Sequence, residues 1–210
     1  HPKKLLGIAI TASLATNYEK KGDHKFFIAI QTHKYSKSFS YQFTKGELSR
    51  DEEEAVVTKY IISALSGACG VNQGIKDEAP NLRIEKVKAE KSWIKLVDNK
   101  IDYVSSSNHL PELIFPGSFN PFHSGHAEMS ELAQKKTGLS PAYEICIQNA
   151  DKPPLSYHEI QRTVLQFSQS YDWVLTKAGK FSDKAKLFPN SVFIIGADTL
   201  TRMLDERFYL

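Results

Sequence analysis

The sequence predicts an α/β protein of two parts, a parallel-sheet domain over residues 112–210 preceded by a smaller α/β domain over residues 1–106. Three observations predict it. From Leu113 onward, short apolar runs alternate with stretches of helical spacing, the pattern of parallel strands joined by crossover helices. Before that, two apolar runs and one alternating run are followed by a single amphipathic helix. Between the two parts lies Ser105-Ser-Ser-Asn-His-Leu-Pro111, a short polar stretch that reads as a linker.

In the first part, Leu5–Ala12 reads as a buried strand and Lys25–Gln31 as a second. Lys37–Thr44 alternates, with Phe39, Tyr41 and Phe43 on one face, and forms the third. Ser49-Arg-Asp-Glu52 is a capping box, and the helix it opens carries Val57, Ile61 and Leu65 before ending near Gly67 or Gly70. Residues 70–80 are rich in Gly, Asn and Asp and read as loop. Trp93–Val97 and Ile101–Val104, separated by Asp98-Asn-Lys100, predict a hairpin.

The second part is organised around residues 113–138. Leu113–Phe115 is a short apolar strand, broken by Pro116 and Gly117. His123–Thr137 has helical spacing, with Met129, Leu132 and Ala133 on one side, Lys135 and Lys136 in the last turn, and Gly138 as the stop. Two histidines three apart thus stand where loop meets helix. Main-chain amides at a helix N-terminus attract anions, and Gly117, Ser118 and Gly125 let a phosphate chain come close. Imidazoles there can donate hydrogen bonds to phosphate oxygens, so the stretch reads as a nucleotide triphosphate site without a Walker A sequence.

Further on, Tyr143–Gln148 is a short buried strand and residues 149–154 are the loop at its C-terminal end. Ser156-Tyr-His-Glu159 is a second capping box, opening a helix with Ile160, Val164 and Phe167 inward. Trp173–Thr176 reads as a strand, Phe181–Phe188 as a short helix and Ser191–Gly196 as the clearest strand of the chain, leading into a helix over Thr199–Leu204. Three loops, at 117–126, 149–154 and 196–199, follow strands directly. A parallel sheet wound in the Rossmann manner places all three on the edge where ligands bind.

Composition narrows the partners. The net charge of +3 over 210 residues is mild and the basic residues are scattered, which predicts no nucleic-acid partner. No apolar run approaches membrane-spanning length, so no membrane partner is expected. Cys69 and Cys146 are too few for a disulfide framework and lack zinc spacing, which predicts a reducing compartment, the cytoplasm with an organelle left open. Assembly into a homo-oligomer or a larger complex is left open.

The stretch Gly117-Ser-Phe-Asn-Pro-Phe-His-Ser-Gly-His126 resembles the H-x-G-H signature of the nucleotidylyltransferase superfamily, in the form seen in nicotinamide mononucleotide adenylyltransferases. Asn149-Ala-Asp-Lys-Pro with Arg162 is similar to the substrate loop and helix of those enzymes, and Ile194-Ile-Gly-Ala-Asp198-Thr-Leu to their Gly-x-Asp motif. The resemblance implies a Rossmann-like nucleotidyltransferase that moves the adenylyl group of Mg2+-ATP to a small phosphorylated acceptor, nicotinamide or nicotinate mononucleotide, with release of pyrophosphate. It implies catalytic roles for His123 and His126. Nucleotide binding falls to Gly117, Ser118, Phe119, Asn120, Gly125, Gly196 and Asp198, and substrate binding to Asn149, Lys152 and Arg162. No protein ligand for the metal is implied; Mg2+ comes with the triphosphate.

Alternatives stand beside these assignments. The histidines also suit plain helix caps, Asp198 an N-cap for the helix that follows, Lys152 a solvated loop position and Arg162 a surface ion pair, and Cys146 reads as core. Pantetheine-phosphate adenylyl transfer and cytidylyl transfer are further activities of the same scaffold. A segment of Ile-Ser-Ser-Thr-x-x-Arg type, which the superfamily carries after Gly-x-Asp, does not occur before Leu210. The expectation is a partial sequence of a longer chain, the alternative a non-catalytic nucleotide-binding or structural subunit. The first part weakly resembles the second half of a CinA-type nicotinamide mononucleotide deamidase domain, without that domain's Gly-Pro-rich loop, and is read as incomplete; no catalytic residue is carried over from it. Lys34-Tyr-Ser-Lys-Ser38 looks like the Lys-Met-Ser-Lys-Ser loop of class I aminoacyl-tRNA synthetases but precedes the histidines, and reads as a solvated turn.

Overall fold

A computed structural model describes residues 5–72, 74–76, 79–149, 152–167 and 170–204. The chain divides into two compact units, His1–Ala89 and Glu90–Leu210. That division precedes the polar stretch 105–111, where the sequence places it, because Tyr103–Ser105 is a strand of the second sheet.

The first unit is a four-stranded antiparallel sheet, β1 (Leu6–Ser13), β2 (Lys25–Thr32), β3 (Tyr35–Gln42) and β4 (Leu82–Lys88) in spatial order, with helix α1 (Arg50–Ala68) on one face. Period-two alternation drives it: Phe26, Ile28 and Ile30 of β2 are buried with Phe39, while Phe27 is exposed. The Ser49 hydroxyl accepts from Glu52 N–H and the Glu52 carboxylate accepts from Ser49 N–H, which opens α1 as the capping box predicts. Glu53 is fully buried; its carboxylate accepts from Ala15 N–H at 2.6 Å and meets His24 Nδ1 at 2.8 Å, tying the β1–β2 loop to the helix. Strand β4 is not foreseen by the sequence. Its charged Arg83, Glu85, Lys86 and Lys88 suit a sheet edge, while Leu82 and Ile84 share the apolar face through pairing with Tyr41 and Phe39.

The second unit begins with a helix where the sequence predicts a strand. Lys91–Val97 is a helix, α2, and not half of a hairpin. Trp93 and Leu96, three residues apart, are both buried, which a helical face satisfies; strand alternation would put them on opposite faces. Strand β5 (Tyr103–Ser105) pairs antiparallel with β8 (Asp172–Thr176). The five-stranded sheet has the order β5-β8-β7-β6-β9, with β6 (Leu113–Pro116), β7 (Pro141–Cys146), β8 and β9 (Val192–Phe193) parallel. Strand β9 is only two residues long, although its sequence reads as the clearest strand; Ile194 N–H extends the ladder to Ile114 C=O at 2.8 Å. Helices α3 (Ser124–Thr137), α4 (Tyr157–Leu165), α5 (Phe181–Leu187) and α6 (Ala197–Leu204) alternate with these strands.

Both faces of β7 are buried, as crossover helices require. On one face Tyr143 stacks on Phe167 at 4.7 Å between centroids and shares a 2.6 Å hydrogen bond with Ser130 of α3. Ser130 therefore marks the inward side of α3, and Met129 and Leu132, aligned by the sequence pattern, are exposed. On the other face Phe188 packs with Ile114 and Val174, and Lys184 of α5 reaches Glu144 with 2.7 Å to each carboxylate oxygen. Thr176 Oγ also donates to that carboxylate, and both charges are almost wholly buried.

Breaking a buried pair strands one charge, so Lys184→Met is expected to cost about 3–5 kcal/mol in urea denaturation. Lys184→Met combined with Glu144→Leu should recover most of that loss.

Candidate functional site

The loop after β6 is shaped by one aromatic ring. Phe119 has φ of +44° and is buried. Its ring lies edge-on to Phe115, Tyr143 and Phe167 at 5.3–5.5 Å between centroids. Phe122 joins the same cluster against Tyr143 and Phe167. Gly117 lies directly over the Phe119 ring: a Cβ there would stand 2.6 Å from Phe119 Cζ. The glycine thus serves the close packing of its own loop, and its N–H donates to Glu144 C=O at 3.0 Å. Asn120 precedes Pro121 through a cis peptide bond.

This turn delivers His123 as the N-cap of α3 and His126 as its third helical residue. The two rings stack 3.8 Å apart, inclined by 29°. His123 N–H donates to His126 Nδ1 at 3.3 Å, so the neutral His126 ring carries its proton on Nε2 and offers an N–H donor there. Burial, and after it the neighbouring His123, hold the His126 imidazole below its ordinary value of 6.5. A Cβ at Gly125 would lie 3.3 Å from the His123 ring, so this glycine gives the first imidazole its room. The histidines are caps, and at the same time a paired set of donors at a positive helix end.

The neighbouring loops come from sheet topology. Strand β6 is flanked by β7, the next strand in sequence, and by β9, reached by a crossover back over the sheet; the order reverses between β6 and β9. The loops bearing Gly117–His126 and Gly196–Asp198 follow these two adjacent parallel strands and share one sheet edge. Ligands bind at such a switch point. Helix α6 starts at Ala197, so Asp198 lies within its first turn; the N-cap alternative for Asp198 is overturned, and Gly196 C=O accepts from Leu200 N–H at 2.9 Å instead. Asp198 is exposed, and the space where a Gly196 side chain would stand is open to 4 Å.

Asn149 and Lys152 are exposed in the loop after β7, which Leu155 N–H closes onto Ile147 C=O at 2.9 Å. Ala150 and Asp151 of that loop lie outside the described residues. Arg162, on the exposed side of α4, donates to Asn120 Oδ1 at 3.3 Å, which joins the substrate helix of the sequence reading to the histidine loop. Ser118 is exposed at the turn. Sequence reasoning missed Phe122 and Gln166; aromatic clustering signals the first, and nothing in the local sequence signals the second. Among the described residues, no three His, Cys, Asp or Glu side chains gather as a metal site, and no helix is long and apolar enough to cross a membrane.

The second unit is a Rossmann-like domain whose switch point carries a histidine-bearing, anion-directed helix start. Residues 114–208, a little under half of the chain, match the model of the cytidylyltransferase-like family, so this segment is similar to the cytidylyltransferase-like domains of the nucleotidyltransferase superfamily. No curated protein and no solved structure matched the chain. The family match covers neither the first unit nor its deamidase resemblance, and does not single out the mononucleotide adenylyltransferases.

In nitrogen-15 NMR titrations, His126 is expected to titrate below 6.5 as the Nε2–H tautomer, and His123→Ala to move it only part of the way back, since burial persists. Gly117→Ala should destabilise the protein by about 1–3 kcal/mol in denaturant, through the Phe119 overlap. Gly125→Ala should cost less, because the exposed His123 ring can turn aside.

Proposed function

We propose that the second unit transfers the adenylyl group of ATP to a phosphomonoester, nicotinamide or nicotinate mononucleotide, and releases pyrophosphate. The observation that carries this reading is the stacked His123–His126 pair at the start of α3, beside the Asp198 loop at the sheet's switch point. An oxygen of the acceptor phosphate attacks the α-phosphorus of ATP; the bond from that phosphorus to the bridging oxygen breaks, and pyrophosphate leaves with its electron pair. No protein nucleophile is required. Catalysis is then positioning plus stabilisation of charge growing on the α-phosphoryl and leaving oxygens.

The residues divide that work. His126 Nε2–H and His123 donate to phosphate oxygens, aided by the main-chain amides of the first turn of α3. Gly117, Ser118, Asn120 and Gly125 leave the loop low enough for the triphosphate to approach. Asp198, unpaired among the described contacts and exposed, suits a ribose hydroxyl. Asn149, Lys152 and Arg162 stand on the acceptor side. Magnesium comes with the triphosphate, as part of the substrate.

The family match favours a second reading on the same site, with CTP as the nucleotide. Pyrophosphate release from ATP and from CTP, assayed across nicotinamide mononucleotide, nicotinate mononucleotide and phosphopantetheine, separates the two and names the acceptor. His126→Ala is expected to lower kcat about 10²–10³-fold, the usual cost of one transition-state donor. Undiminished turnover in that variant would overturn the mechanism. Nucleotide binding without release of pyrophosphate from any pair would instead identify a non-catalytic nucleotide-binding subunit.

A further inference from the structure

Gln166 closes α4 with its main chain and makes its shorter side-chain hydrogen bonds elsewhere. Its own N–H bonds back to Thr163 C=O at 3.2 Å, and its side-chain Nε2 makes only a longer, 3.5 Å contact with the same carbonyl. That amide crosses to the histidine loop. Gln166 Oε1 accepts from Phe122 N–H at 2.8 Å, and Nε2 donates to Phe119 C=O at 3.0 Å. The two contacts bracket Asn120 and Pro121, so one side chain pins the main chain on both sides of the turn that delivers His123. Phe122 N–H lies immediately before the N-cap, outside the helix, where a side chain must satisfy it. A primary amide suits this task because it accepts and donates at once.

We propose that Gln166 is a positioning residue for nucleotide transfer, holding the Phe119–Phe122 main chain so that the two imidazoles face the phosphates. The proposal rests on the reading of this loop as the nucleotide site. Anchorage of the loop divides into two kinds. The rings of Phe119 and Phe122 are fastened in the aromatic cluster and belong to the fold. The main chain between them, which sets the direction of His123, is held by the Gln166 amide, with the exposed Arg162–Asn120 contact beside it. Removing the amide leaves the rings seated and releases only the turn. Helix α4 thereby connects two ligand sides: its N-terminal end follows the acceptor loop and its C-terminal end grips the triphosphate loop.

The test uses Gln166→Ala and Gln166→Glu, with ATP and nicotinamide mononucleotide as probes. A glutamate keeps the acceptor for Phe122 N–H and loses the donor for Phe119 C=O. Gln166→Ala is expected to fold with a thermal midpoint lowered by about 2–4 °C. Its kcat should fall about 10–10²-fold, the scale of a misplacement near 1 Å, and Gln166→Glu should fall between it and wild type. Wild-type kcat in folded Gln166→Ala would overturn the proposal. Two readouts need no nucleotide. In Gln166→Ala the Phe122 amide should exchange faster with solvent and the His126 titration should move up toward 6.5; if neither changes, the clamp is not positioning the loop. A wild-type protein that neither binds nor turns over nucleotide would sink the functional reading alone, and these two measurements would still decide whether Gln166 holds the loop.

Discussion

The second unit depends on the seating of the Phe119 ring beneath Gly117. An aromatic side chain on a residue with positive φ is a strained combination, and it persists where the surroundings hold it firmly. Here Phe115, Tyr143 and Phe167 close around it in edge-on contact, and Phe122 and Tyr171 extend the cluster. The ring acts as a plug. With it in place the chain leaves β6, turns within a few residues, and starts α3 with its free amides toward the sheet edge. Each participant then has a stated constraint: Gly117 because any side chain meets the ring, Phe119 because it fills the nest, Gly125 because His123 lies against it.

Charge is handled differently on the two faces of the sheet. Beneath α5, Glu144 and Lys184 neutralise each other in a dry environment, with Thr176 completing the carboxylate's hydrogen bonds. That pair is complete within itself and leaves nothing for a ligand. At the sheet edge the reverse holds. Two imidazoles are stacked, and His126 is held toward its neutral form by burial and then by its neighbour. Such a pair, at the positive end of a helix, adds imidazole N–H groups beside the free amides of the first turn.

The first unit follows simpler rules. Alternation along β2 and β3 separates an apolar face, covered by α1, from a face of Phe27, Ala29, Ser38 and Ser40, and the Glu53 carboxylate fastens the β1–β2 loop to the helix. Its strands all pair with their sequence neighbours, although β4 reaches the outer side of β3 only after α1 has intervened. Half of this was legible beforehand. The strands with apolar alternation and the capped helix are local patterns, whereas β4 is a charged segment whose identity depends on having β3 to pair with.

For the second unit the sequence by itself determined the fold class, the strand–loop–helix around the histidines, the loops after β6, β7 and β9, and the capping box at Ser156. Each rests on interactions within a few residues: hydrophobic period, caps, turn-forming glycine and proline. Tertiary structure decided what distance along the chain conceals. It made a helix of Trp93–Val97, because both buried side chains there lie on one helical face. It turned Met129 and Leu132 outward by giving the inward side of α3 to Ser130, whose hydroxyl satisfies Tyr143. It set β9 beside β6, which brings Asp198 to the edge where His123 and His126 stand. And it laid the amide of Gln166, more than forty residues from the turn it holds, across the main chain of the loop. Such contacts leave no periodic trace, since a hydrogen bond between remote residues requires only that the fold bring two complementary groups together.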